Sequence, residues 1–332
     1  MNRPISSVSS VLRRFWLWLP DSVDRRVRIA AWVSFVLQVV LIATGGAVRL
    51  TASGLGCPTW PRCTDGSFVN TPEMGIHGII EFGNRMLTFV LVIAVIVAFL
   101  SVLRFRAQRR DLFTLTLLQG LSIPFQAILG GITVLTGLNP FVVGAHYLVS
   151  IVLVFLTTVL LYRVYRGKRG ADSLAPRWFR IVSHVTTLFV AVTVVVGILT
   201  TGSGPHAGDN SNPDKLAPRT GLDPAVLQHV HSWPAYTTFA LTVILVVASF
   251  VLRASISDRT RKFAVALLAV EVVQIAVGIT QARLGLPELL VGIHMVLAGL
   301  LVAAMTALVL SLRSSVAPGS VAEPEREHAT TV

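Results

Sequence analysis

Eight separate apolar runs, each long enough to cross a lipid bilayer, constrain this chain more than any other feature. They fall at about 28–48, 78–103, 112–135, 145–165, 179–200, 230–252, 263–283 and 289–312. A helix rises about 1.5 Å per residue, so about 20 residues span a hydrocarbon core of roughly 30 Å. Only 13% of the 332 residues are charged, against roughly 25% in soluble domains. The chain therefore reads as an all-α integral membrane protein of eight transmembrane helices.

The cations sort by side. Between alternate spans one side carries Arg3, Arg13, Arg14, Arg25, Arg26 and Arg28, then Arg104, Arg106, Arg109 and Arg110. It continues with Arg163, Arg166, Lys168, Arg169, Arg177 and Arg180, then Arg253, Arg259, Arg261 and Lys262, and ends with Arg313 and Arg326. The other side holds Arg49, Arg62, Arg85, Lys215, Arg219 and Arg283. The positive-inside rule makes both termini cytoplasmic. It also accounts for the net charge of +12 without a nucleic-acid partner. Residues 1–27 read as a cytoplasmic tail of a bacterial plasma-membrane protein. Their Ser and Arg content is also that of a transit peptide, the mitochondrial inner-membrane alternative. Residues 166–178 read as a cytoplasmic linker, and 313–332, with His328, as a disordered cytoplasmic tail.

The spans repeat. "QAILGGITVLTGLNPFVVGAH" (126–146) matches "QIAVGITQARLGLPELLVGIH" (274–294) at one constant offset. Gln126 pairs with Gln274, Gly130 with Gly278, Gly137 with Gly285, Gly144 with Gly292 and His146 with His294. "TASG" (51–54) matches "TGSG" (201–204), and "EFGN" (81–84) lies opposite "QHVH" (228–231). The expected architecture is two pseudo-symmetric four-helix bundles, 28–165 and 179–312, related by an axis along the membrane normal. Each bundle is expected to hold a comparable site.

Histidines supply the candidate ligands. His146 opens the fourth span, His294 the eighth, His231 the sixth and His77 the second, all toward the outer side. Four-helix bundles build cofactor sites from inward side chains on facing helices. Two imidazoles from two helices can hold a heme iron from opposite faces. The second half offers His231 and His294. The first offers His146, but the repeat partner of His231 is Asn84, with His77 two turns away along the same helix. A membrane histidine can also simply bond a neighbouring helix. Zinc would need a close cluster of three or four ligands, and none is visible. His184 reads as structural, and His229 points away from the face of His231. His206 is a loop residue that either meets a heme propionate or faces water.

Glu81 shares a helix face with His77 and Asn84, and Arg85 follows one turn later. One reading is an i,i+4 ion pair at the lipid boundary. The other is a carboxylate at a reacting centre, placed to move protons or stabilise a developing cation. Glu271, inside the seventh span, has no basic neighbour and receives no role. Cys57 and Cys63 flank "PTWPR" in an external loop, where oxidation is permitted. They read as a structural bridge, with a reducible redox pair as the alternative.

Taken together, "GGAVRLTASGLGCPTWPRC", "EFGNR", "TGSGPHAGD" and the paired "VGAH" and "VGIH" segments resemble the heme A synthase family, over all eight spans. The resemblance implies a membrane enzyme that oxidises the C8 methyl of heme O to a formyl group by successive hydroxylations, for cytochrome oxidase assembly. It implies heme B as cofactor on His231 and His294 in the second bundle. The first bundle is then the substrate site, with His146 as axial ligand and Glu81 as catalytic carboxylate. His77, Asn84 and Arg85 become substrate-site groups. The family pattern has histidine where Asn84 stands. The cysteine pair resembles the family's external disulfide. Implied partners are heme O, the heme O synthase, an electron donor, cytochrome oxidase assembly and membrane lipid, and a homo-oligomer is compatible.

Other classes fit less well. A diheme b-type electron-transfer protein exchanging electrons with quinone would want two saturated hemes, which Asn84 opposes. A transporter would place its site nearer the midplane. A heme prenyltransferase would need aspartate-rich motifs, and the chain has none.

Overall fold

The computed structural model describes residues 5–209 and 217–316. Arg3, Lys215, His328 and the tail beyond residue 316 lie outside them. The elements in order are α1 (Ile5–Trp18), α2 (Arg25–Leu50), α3 (Gly75–Leu103), α4 (Arg110–Leu135) and α5 (Pro140–Arg166). There follow β1 (Lys168–Ser173), α6 (Arg177–Ser203), α7 (Pro224–Val251), α8 (Asp258–Arg283), α9 (Glu288–Ser311) and β2 (Arg313–Val316). A 3-10 turn, Pro72–Met74, leads into α3. From α2 to α9, eight helices are long and apolar enough to cross a membrane, and the molecule is an all-α membrane protein apart from the small strand pair.

The helices start earlier than the apolar runs because polar caps set their ends. Asn139 accepts from the Phe141 amide at 3.0 Å, with Pro140 at the first helical position. Asp223 accepts from the Ala225 amide at 2.8 Å, with Pro224 next. A side-chain oxygen at the cap and a proline just inside it are the standard start of a helix. In consequence His146 and His231 lie about two turns inside their helices, not at their mouths.

The sequence repeat is also a conformational one. Gly137 and Leu138 adopt φ of 60° and 63°, and Gly285 and Leu286 adopt 75° and 63°. Each turn closes with the same long bond, Leu138 amide to Thr133 carbonyl and Leu286 amide to Gln281 carbonyl, both 2.8 Å. Glycine enters the left-handed region without steric cost and so ends the helix there.

Helices α2 to α5 pack in a closed ring, each on the next and α5 back on α2. Helices α6 to α9 do the same, and the rings meet where α2 and α5 touch α9 and α5 touches α6. Across that joint the Tyr147 hydroxyl donates to the Met295 carbonyl at 2.8 Å. Apolar side chains fill the arginine-rich end of both rings. Val27, Val102, Phe105, Leu112 and Leu160 pack the first. Phe179, Leu245, Leu267, Met305 and Leu308 pack the second. The opposite end is left for a cavity.

Part of the segment read as linker, 168–173, and the first residues of the segment read as tail, 313–316, form strands. β1 pairs antiparallel with β2, Lys168 opposite Val316 and Ser173 opposite Arg313. Neither strand has the β-branched, alternating character that marks a strand in sequence. They pair because α5 and α9 end side by side. The tail segment Ile5–Trp18 is helical, and Leu12, Phe15 and Trp18 on it are exposed.

Candidate functional site

A cavity of about 1260 Å³ is lined by helices of both rings. Small-molecule sites usually occupy roughly 300–1,000 Å³, so this one has room for more than one small ligand. His146, His231, His294, Glu81, Asn84 and Arg85 all line it.

Each of the three histidines packs against a glycine on a neighbouring helix. A Cβ built on Gly130 would lie 3.3 Å from Cε1 of His146, on Gly278 3.1 Å from that of His294, and on Gly197 2.9 Å from that of His231. The repeated glycines thus make room for imidazole rings. Gln126 donates to the His146 carbonyl and Gln274 to the His294 carbonyl, each at 3.2 Å. Nδ1 of all three rings is buried without a well-formed hydrogen bond, although the Thr193 and Gln274 backbones lie against His231 and His294.

The His231 and His294 ring centres stand 6.3 Å apart at 74°. Two imidazole nitrogens at about 2 Å from one metal ion, each roughly 1 Å from its ring centre, give about 6 Å. The pair therefore fits a single iron between two rings, the requirement of a bis-histidine heme. No group of three or more His, Cys, Asp or Glu able to hold a metal ion exists among the described residues.

The first ring differs. Asn84 accepts a 2.7 Å hydrogen bond from the Thr44 hydroxyl of α2. His77 is exposed, its Nδ1 2.9 Å from the Ser53 hydroxyl, and it does not line the cavity. The reason is steric: the 53–56 segment folds over the first turn of α3, with Gly56 against the His77 carbonyl.

Glu81 is buried. Its Oε1 accepts from Arg85 Nη2 at 2.5 Å and Nε at 3.1 Å, and its Oε2 accepts from the Cys57 amide at 2.5 Å. Arg85 also donates to the carbonyls of Cys57 (3.1 Å), Thr59 (3.3 Å) and Arg62 (3.2 Å). Glu81 is thus paired with Arg85, as the i,i+4 reading expects, and it lines the cavity. Cys57 and Cys63 form a disulfide. Their loop carries Trp60 into the cavity wall against Gly131 of α4, next to the glycine that faces His146.

Other predicted residues fall elsewhere. His206 does not line the cavity; its Nε2 meets the Leu286 carbonyl at 2.8 Å. His184 and His229 are exposed. Glu271 lines the cavity, with Oε1 accepting from the Thr242 hydroxyl at 2.8 Å and Oε2 without a partner. Sequence reasoning missed Trp60 and Arg49 as cavity groups and Thr44 as the partner of Asn84. Gly130 and Gly278 were visible as repeat positions; the ring contacts they serve were not.

Fold and site define a multi-pass membrane protein with a large cavity and half-buried imidazoles facing it from both four-helix rings. Residues 28–306 match the model of the cytochrome oxidase assembly protein family COX15-CtaA, and the chain belongs to that family. It is 25% identical over 177 residues to the heme A synthase of Listeria welshimeri, covering 52% of this chain and 58% of that protein. To the heme A synthase of Bacillus pumilus it is 27% identical over 220 residues, covering 66% and 70%. To that of Lysinibacillus sphaericus it is 32% identical over 173 residues, covering 48% and 54%. The matched region is thus less than two thirds of the Listeria relative's length.

Proposed function

We propose that the chain is a heme A synthase, oxidising the C8 methyl of heme O to a formyl group by successive hydroxylations, for cytochrome oxidase assembly. The observation that carries this reading is that His146, His231, His294 and Glu81 open on one cavity. On it, the two rings are pseudo-symmetric bundles related about the membrane normal. Both termini are cytoplasmic, and the cavity end faces outward in a bacterial plasma membrane. His231 and His294 hold heme B, which supplies one-electron redox chemistry when bound. His146 holds the substrate heme O in the first bundle.

Glu81 is the catalytic carboxylate. Arg85 and the Cys57 amide fix both of its oxygens, so it is oriented before substrate arrives. In a water-poor site an oriented carboxylate stabilises positive charge developing on the substrate methyl and can accept its proton. Trp60, carried by the disulfide loop, lines this end of the cavity against Gly131. Asn84 is occupied by Thr44, so the first site has one imidazole ligand. That disfavours the electron-transfer reading, which wants both hemes saturated.

The test is expression in a host supplying heme O, followed by extraction and separation of hemes. Heme A is expected. Its absence from a protein that retains heme B would overturn the assignment.

A further inference from the structure

Three arginines line the cavity. Arg85 is paired with Glu81, and Arg283 is exposed at the end of α8. Arg49, in the last turn of α2, is held by backbone alone. Its Nε donates to the His206 carbonyl at 2.8 Å and its Nη2 to the Thr201 carbonyl at 3.0 Å. No carboxylate pairs with it, and Nη1 makes no hydrogen bond, among the described residues. Neutral carbonyls satisfy donors but leave the charge uncompensated, and a largely desolvated cation calls for an anion.

We infer that Arg49 is the carboxylate anchor of the ligand held between His231 and His294, gripping a propionate at the edge of the heme. The inference rests on the heme reading above. Its position supports it. Thr201 lies four residues beyond Gly197, the residue against the His231 ring, so the backbone that Arg49 grips stands about 6 Å further along α6 than the residue that faces that imidazole. A guanidinium also forms charge-assisted, paired hydrogen bonds with carboxylates. Arg49 additionally latches the 204–208 loop to α2. That structural role uses Nε and Nη2 but does not use Nη1, which has no hydrogen bond among the described residues.

The experiment uses the full chain, purified and stripped of heme. It is titrated with iron protoporphyrin and with its dimethyl ester, in which both propionates are masked, and binding is followed by the bis-imidazole absorption band. Wild type is expected to prefer the diacid by about tenfold or more. Arg49→Gln keeps an amide donor for the two carbonyls but removes the charge, and is expected to erase the preference by weakening diacid binding alone. Arg49→Lys should restore part of it. Equal affinity of wild type for diacid and ester would overturn the inference even if Arg49→Gln fails to fold, as would full preference in a folded Arg49→Gln. Wild type binding neither compound through His231 and His294 would instead sink the heme reading, and this inference with it.

Discussion

Gly197→Ala should separate the stability of the protein from its hold on heme. The added Cβ would lie 2.9 Å from Cε1 of His231. Carbon pairs rest at about 3.5–4.0 Å, so the imidazole must retreat by at least about 0.6 Å. Forced repacking of this kind costs typically about 1–3 kcal/mol. Alanine in place of a helix-interior glycine returns about 0.5–1 kcal/mol, so the heme-free protein should lose little. On the proposed ligation by His231 and His294, the loaded protein could not let the ring move, because the iron would hold both imidazoles in place. If the repacking cost falls on the bound state, heme affinity drops about 5–150-fold. Gly278→Ala (3.1 Å) and Gly130→Ala (3.3 Å) should show progressively smaller effects. Gly83→Ala, with nothing within 4 Å, is the control. Optical titration of heme-free protein, with thermal unfolding alongside, reads both quantities. Gly197→Ala binding heme like wild type, or Gly83→Ala losing as much, would refute the reasoning.

Glu81→Gln should leave the resident heme spectrum intact and slow heme O conversion by about 10²-fold or more, as read in extracted hemes. His77→Ala should change heme content by nothing measurable and stability by about 0.5 kcal/mol at most, since His77 is exposed and outside the cavity; lost heme would restore it as a ligand. Arg85→Met strands the Glu81 carboxylate and three loop carbonyls together. Breaking a buried pair costs about 3–5 kcal/mol, and with Arg85 21% exposed the lower end is expected in thermal unfolding.

The eight spans were legible because hydrocarbon thickness dictates run length, and the repeat was legible because its turns need glycine at the same places. Helix starts were not, since Asn139 and Asp223 extend α5 and α7 beyond the apolar runs through local caps. The strand pair was invisible because "KRGADS" and "RSSV" acquire their conformation from where two distant helices end. At the site, helical periodicity put Glu81 and Asn84 on one face, and both line the cavity. It put His77 there too, but a loop folded over that first turn decides otherwise, and no local pattern announces it. The wiring of Glu81 to the Cys57 amide is likewise tertiary, joining residues that the sequence shows only as separate motifs.

The two halves differ at the second ligand position by one residue. His231 has room because Gly197 faces its ring, where a Cβ would crowd it. The cavity-lining positions of α2 and α6 run in step, Leu41, Ile42, Gly45, Gly46 and Arg49 against Thr193, Val194, Gly197, Ile198 and Thr201, so the first-half counterpart of Gly197 is Gly45. It too is a glycine, with nothing within 4 Å of a built Cβ. An imidazole at position 84 in the geometry of His231 therefore has the same space. Asparagine is shorter and takes the Thr44 hydroxyl bond instead. On the proposed ligation, Asn84→His alone should add a second imidazole ligand to heme held by His146 and convert it to low spin, read in its absorption spectrum. Gly45→Ala in the Asn84→His background should weaken that ligation. An Asn84→His variant whose heme spectrum is that of wild type would show that the space beside residue 45 does not decide the ligand.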